Sequence, residues 1–398
     1  MNESRLRTLI LALIYPNRVS YYDDWRDAFE QHLGYDCSVR NIMTLTPEQL
    51  RQEIDQFDAV ILLHSCNSDT LDYFAPLAPV LAERRRAKVA TFVGNEFNFP
   101  YVSTAERVRL FATARCDIVA TQLLQEAGDY LYAASGARIV SMPHALNPVV
   151  FTPGPEKRER DIGVRGYKYP PYLGDDDRNT MMRFFSDNGA RLGLSIDVGE
   201  DKRLDRAHWA RFLQTSYGTI TTETGSWYIS PNDELIDRIY AYLKSKRSGI
   251  VISNESPLRR AARHLPSPVK AVLWRLLQKG PIGFEVLDDY NTSFEELNEA
   301  FFKKEPRAPA YGKAISSRHF DAIGTGTCQI AYRGRFNDIL VADEHYFALE
   351  RDLSNADAVI ARFKDRGERS RIATAAYETV MAGHTYRHRA EAMLACLS

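Results

Sequence analysis

The residues best placed for chemistry are Ser316-Ser317-Arg318-His319-Phe320-Asp321-Ala322, followed by Ile323-Gly324-Thr325-Gly326 and the apolar run Cys328–Tyr332. Small hydroxyl residues at a helix start leave backbone N–H groups facing outward. Together with the helix dipole they bind phosphate. Arg318 adds positive charge, and Asp321, one turn further in, could accept hydrogen bonds from ribose hydroxyls. A Ser-Ser pair before a helix also serves as a plain N-cap, so both readings stand at this point. Other phosphate signatures are absent. The residues after the first apolar run, Tyr15-Pro16-Asn17-Arg18-Val19, lack the Gly-x-Gly-x-x-Gly fingerprint, and no Walker A motif occurs.

The elements that must position these residues follow from patterning. Leu9–Ile14, Ala59–Leu63, Val89–Val93, Ile118–Thr121 and Ile139–Met142 are apolar runs without polar alternation. Such runs suit strands buried on both faces of a parallel sheet. Cys37–Met43 reads as a more polar strand near an edge. Trp25, Ala28, Phe29 and Leu33 share one helical face, ended by Gly34. Thr46-Pro47-Glu48-Gln49 and Ser103-Thr104-Ala105-Glu106 read as capping boxes. Repeated strand–helix–strand units predict a doubly wound α/β sheet.

Four prolines and Gly154 within Pro143–Pro155 read as an interdomain linker. Alternation then resumes, with strands expected at Asp161–Val164, Leu194–Val198, Gly218–Thr222 and Cys328–Tyr332. Helices are expected at Asn179–Asn188, His208–Thr215 and Asp233–Lys246, with a mainly helical tail from Asn355. The fold class is therefore α/β, with two Rossmann-like doubly wound domains facing a cleft. Residues 1–150 form an N-terminal domain and 151–375 a C-terminal domain. Residues 376–398 form a terminal helix able to pack back on the first domain.

Composition fits this plan. The chain has 398 residues, 44% hydrophobic and 26% charged, with a formal charge of −1. No global basic field exists to hold nucleic acid. Five cysteines at 37, 66, 116, 328 and 396 have neither metal-ligand nor disulfide-framework spacing. The early apolar run is too short for a membrane span or a signal peptide, so a reducing cytoplasm is expected. Between Ser256 and Phe284, six Lys or Arg accompany no acidic residue. That stretch reads as an insertion packing on the second domain, or as a basic amphipathic segment touching the inner face of a membrane.

The Ser316–Ala322 segment resembles the C-terminal donor-binding motif of GT-B glycosyltransferases, closest to the group related to spore-maturation glycosyltransferases. That group shows Ser-x-Arg-x-Phe-Glu-Ala with a later glycine, a His-Tyr pair, Asp-x-x-Asn and a terminal His-Thr-Tyr-x-x-Arg. This chain has His345-Tyr346, Asp352-Leu353-Ser354-Asn355 and His384-Thr385-Tyr386-Arg387-His388-Arg389. The close likeness covers roughly the last quarter of the chain. Two departures stand out. Asp321 replaces the ribose-binding glutamate, and Lys313 occupies the place of a second glutamate common in retaining enzymes.

The resemblance implies sugar transfer from a nucleotide-sugar to a hydroxyl acceptor in cell-surface glycan, polysaccharide or natural-product glycoside synthesis. The acceptor is a glycan, a lipid-linked or a small molecule. No cofactor and no metal are expected, so the leaving nucleoside diphosphate must be stabilised by the protein. Arg165 and Lys168, with Gly166 between them, are expected at the diphosphate beside Ser316, Ser317 and Arg318. Asp321 is expected at the ribose, and Thr222 with Glu223 near the base. His64 and Glu96, each after a buried strand, are the candidate general bases on the acceptor side, with Asp23 and Asp24 as outsiders. Asp175-Asp176-Asp177 contains an Asp-x-Asp pattern but follows Pro170-Pro171, so it reads as a helix N-terminus. A sugar-nucleotide epimerase on the same fold and a non-catalytic two-lobe sugar-binding protein are the alternative functions.

Overall fold

A computed structural model describes residues 5–14, 20–166, 168–199, 204–246, 250–252, 282–284 and 292–398. The first half runs β1 (Leu6–Ala12), α1 (Ser20–Gln31), β2 (Tyr35–Asn41), α2 (Pro47–Glu53), β3 (Ala59–Leu62) and α3 (Ala78–Ala82). It continues with β4 (Lys88–Phe92), α4 (Thr104–Thr113), β5 (Ile118–Thr121), α5 (Gln125–Tyr132) and β6 (Arg138–Ser141). All six strands are parallel, in the order β2-β1-β3-β4-β5-β6. β1 and β3 are apolar throughout their centres because helices cover both their faces. Leu9, Ile10, Leu11, Val60, Ile61 and Leu62 expose no surface. The more polar β2 takes the edge, as its composition predicts.

The second half runs β7 (Arg160–Arg165), α6 (Asp177–Asn188), β8 (Ile196–Gly199), α7 (Arg206–Gln214), β9 (Ser216–Thr221), β10 (Thr224–Gly225) and α8 (Glu234–Ser245). Then follow β11 (Ile250–Ile252), β12 (Ile282–Phe284), α9 (Phe294–Ala300), β13 (Lys313–Ala314), α10 (Ser317–Gly324), β14 (Cys328–Tyr332) and β15 (Phe347–Leu349). The chain ends with α11 (Ala356–Lys364), α12 (Arg366–Gly383) and α13 (Tyr386–Leu397). The main sheet is parallel, in the order β15-β14-β9-β7-β8. Both sheets thus place their first strand beside their third, with the second strand outside. Strand order reverses between β1 and β3 in one domain and between β7 and β9 in the other. Ligands of open parallel sheets collect beyond the strand ends at such reversals.

Two differences from the sequence expectations have local causes. Ser103 does cap α4, its hydroxyl accepting from Glu106 N–H, but Glu106 does not return the bond. Its carboxylate is taken by Arg109 one turn on, and Asp233 of the second domain serves the helix start instead. The chain also crosses back to the first domain later than residue 376. Ala376 and Val380 still pack in the second domain, whereas Tyr386, Ala390, Met393 and Leu397 join Trp25 and Phe29 in the first.

The crossing at Thr385 pairs with the linker at Leu146. Leu146 N–H donates to His384 O at 2.9 Å, and Tyr386 N–H donates to Leu146 O at 3.0 Å. The domains also meet elsewhere. Asp24 on α1 accepts from Arg206 on α7 (2.7 Å) and from Asn147 in the linker (2.6 Å). Phe336, Asn337 and Asp338 follow β14 with φ of 45°, 53° and 58°, a left-handed run that is costly without glycine. That turn directs Asn337 Nδ2 to Gln122 O of the first domain at 2.8 Å. The basic segment Ser256–Phe284 lies outside the described residues except for β12, which pairs with β11. Among the described residues no helix is long and apolar enough to cross a membrane.

Candidate functional site

The strand reversal of the second sheet opens into a pocket. Its walls are Val164, Arg165 and Gly166 at the end of β7, and Thr219 to Thr222 at the end of β9. Ser316, Arg318 and His319 come from the start of α10, Arg178, Met181 and Met182 from α6, and Trp209 from α7. The pocket therefore joins a helix N-terminus, arginine side chains and an apolar floor. That combination suits an anionic ligand carrying a flat or apolar part.

Of the residues singled out from sequence on the donor side, Arg165, Thr222, Ser316 and Arg318 line this pocket, while Ser317, Lys168 and Asp321 do not. Arg165 is largely committed. It donates to Asp197 Oδ2 at 2.8 Å and stacks on Phe212 at 4.2 Å. Arg318 reaches the backbone oxygen of Arg165 and lies 5.7 Å from the Trp209 ring. Gly166 permits that approach, since a Cβ there would meet Arg318 Nη1 at 3.1 Å. Lys168 lies exposed on the loop beyond β7.

Asp321 is buried one turn into α10 and accepts from Trp209 Nε1 at 2.9 Å. Burial, and less so the Asp24 carboxylate facing it from the first domain, push its carboxyl well above the ordinary range. Its immediate task is to fix the indole that walls the pocket. Glu223 is buried too, accepting from Tyr311 Oη (2.5 Å) and Phe336 N–H (2.7 Å).

Lys313 is completely buried. Its Nζ donates to Asp175 Oδ2 (2.6 Å) and Asp177 Oδ2 (2.9 Å), and Arg351 also pairs with Asp177. The Asp-x-Asp carboxylates are thus neutralised by cations of the chain at the start of α6, as its helix-terminus reading expected. Lys313 thereby ties β13 to α6.

On the first domain, His64 follows β3 at the strand reversal. Its ring lies among Trp25 (centroids 5.3 Å), Phe92 (5.1 Å) and His144 (5.2 Å, nearly parallel). Neither ring nitrogen has a hydrogen-bond partner among the described residues. Burial, aided by His144, holds the ring neutral by lowering its pKa well below the ordinary value. Glu96 is committed differently. Its oxygens accept from Thr121 Oγ1 and Gln122 N–H, both at 2.5 Å, joining the ends of β4 and β5. Burial raises its pKa to about 7 against those two bonds.

Sequence reasoning missed Arg178, His319 and Trp209. Arg178 stacks on Tyr169 at 3.9 Å and has no carboxylate within ion-pair distance among the described residues. Its signal was an arginine in the first turn of the helix after Asp175–Asp177, hidden by the acidic run. His319 occupies an unspecified place in the quoted motif. Trp209 sits in a helix with no motif at all.

A family model described as glycosyl transferase-like matches residues 286–395, the stretch that contains α10, β14 and the carboxyl-terminal helices. Over that stretch the chain is similar to glycosyl transferases, and it carries two doubly wound domains. Among solved structures, the chain is similar to Anabaena HepE in complex with UDP and glucose, at 10% identity and a TM-score of 0.49, covering 99% of each chain. It is also similar to the trehalose-6-phosphate phosphatase N-terminal domain of Candida albicans (8%, TM-score 0.47, 100% of this chain and 97% of that one). A third is the UDP-forming trehalose-phosphate synthase of Burkholderia vietnamiensis (10%, TM-score 0.45, 99% of each). No curated protein matches the chain.

Proposed function

We propose that the protein transfers a glycosyl group from a nucleoside-diphosphate sugar to a hydroxyl acceptor, and that the pocket at the second strand reversal holds the donor. The position of that pocket, against the first turn of α10 and beside Arg178 and Arg318, is the observation that carries this reading. In the reaction the bond from the anomeric carbon to the diphosphate oxygen breaks. The acceptor oxygen bonds to that carbon and releases its proton. The nucleoside diphosphate leaves with the extra negative charge, which the two arginines and the helix end stabilise without a metal ion. Asp321 acts as a positioning residue through Trp209 rather than as a ribose ligand. On the acceptor side His64 suits a base better than Glu96. Both its nitrogens are without a partner among the described residues, whereas both Glu96 oxygens are engaged; its lowered pKa makes it the weaker base, so access to the nitrogens alone favours it.

A thermal-shift and calorimetric screen of UDP, dTDP, GDP, ADP, CDP and their sugars tests the reading. At least one diphosphate should bind, and its sugar should be consumed with release of free diphosphate. Recovery of an epimerised nucleotide-sugar with no diphosphate would replace transfer by epimerisation. Failure of every nucleotide to bind would end it.

A further inference from the structure

The pocket wall contains two buried polar atoms without partners among the described residues. His319 is 1% exposed and Thr222 is 5% exposed. His319 Nε2 and Thr222 Oγ1 have no hydrogen bond to any described residue, although both residues line the pocket. Unsatisfied groups in such positions are uncommon and costly unless something else pairs with them.

The tautomer of His319 follows from its other nitrogen. Ser316 N–H donates to His319 Nδ1 at 3.0 Å, closing the first turn of α10. Nδ1 therefore carries a lone pair, and in the neutral ring the proton sits on Nε2. One side of the imidazole caps the helix, and the other is an N–H donor in the pocket wall.

We propose that His319 is a substrate-contacting specificity residue, whose Nε2–H donates to an acceptor oxygen of the bound nucleotide, with the Thr222 hydroxyl supporting the same group. The inference rests on the donor-site reading above. The acceptor oxygen belongs either to the diphosphate or to a base carbonyl.

The chain contains a matched control. Thr385 and His388 repeat the arrangement at the start of α13, where Thr385 N–H donates to His388 Nδ1 at 3.3 Å, away from the pocket. Asparagine mimics the Nδ1 side of histidine and glutamine the Nε2 side. His319→Asn therefore keeps a cap acceptor and removes the pocket donor, whereas His319→Gln can return the cap bond as Gln49 does to Thr46 N–H and so does not separate the two roles.

Calorimetric titration of the full chain with UDP, dTDP, GDP, ADP, CDP and inorganic pyrophosphate reads the outcome. His319→Asn should weaken the diphosphate that binds wild type by ~10-fold or more, with the melting temperature nearly unchanged. His388→Asn should leave affinity unchanged. A loss that extends to pyrophosphate assigns the oxygen to the diphosphate; a loss confined to nucleotides assigns it to the base. Wild-type affinity in His319→Asn, or an equal loss in His388→Asn, would overturn the inference while leaving the donor site standing. If wild type binds no nucleotide, both readings fall together.

Discussion

Asp233 of the second domain caps a helix of the first through Ser103. Its Oδ2 accepts from Ser103 Oγ at 2.6 Å and from Ala105 N–H at 3.2 Å, while Oδ1 accepts from Thr104 N–H at 3.0 Å. A carboxylate at a helix N-terminus satisfies orphan N–H groups and complements the dipole. Here the cap crosses a domain boundary. Asp233→Ala should cost about 1–2 kcal/mol in denaturant unfolding. Combined with Ser103→Ala, the losses should fall short of additive, because the two residues share one bond. Full additivity would show that the contact does not hold the domains in solution.

Lys313 offers the sharpest stability test. Lys313→Met leaves Asp175 buried and Asp177 mostly so, with only Arg351 nearby. A loss of about 3–5 kcal/mol is expected by chemical denaturation. Lys313→Glu should be worse, since it gathers three carboxylates at one point. A soluble, cooperatively folding Lys313→Glu chain would contradict the buried network.

Glu96 sets a pH dependence. Its folded-state pKa is about 7 against an ordinary 4.5, so between these values the folded chain binds more protons than the unfolded one. Stability must then fall as pH rises. The contribution is complete below about pH 4.5 and lost as pH passes through 7, amounting to about 3 kcal/mol. Glu96→Gln cannot titrate and should flatten the Glu96 part of the stability curve between pH 5 and 8. An unchanged slope in that variant would place the titration elsewhere.

Arg178 should act on binding rather than folding. Arg178→Ala is expected to weaken the bound nucleoside diphosphate by ~10-fold, with the melting temperature little changed. Raising the salt to about 1 M should shrink the difference between wild type and variant, since screening then acts within about 3 Å. A variant with wild-type affinity at low salt would remove Arg178 from the phosphate side.

Much of the architecture was legible because burial leaves its mark on composition. Ala59–Leu62 and Ile118–Thr121 carry no polar alternation, and they lie inside a sheet covered on both faces. Edge strand β2 was equally visible from its polar residues. The helix start at Ser316 was singled out by residue type together with the resemblance of its motif, and Ser316 and Arg318 line the pocket. What could not be read were side-chain commitments across the fold. Arg165 is drawn to Asp197 by strand pairing, Asp321 to Trp209 by the approach of α7, and Asp175 to Lys313 over a long sequence separation. Each residue type was right for chemistry, but the partner that occupies it sits on another element. Arg178 was the converse case, a cation concealed behind three aspartates that stacks on Tyr169 and has no carboxylate partner among the described residues.

The paired crossings at Leu146 and Thr385 govern how the two domains can move. Because the chain passes between the domains twice, side by side, any movement of one domain relative to the other must bend both segments together, beside the Tyr386–His144 contact. Lengthening a single crossing would let the two segments bend unequally and misalign the lobes even though no residue in either pocket had changed.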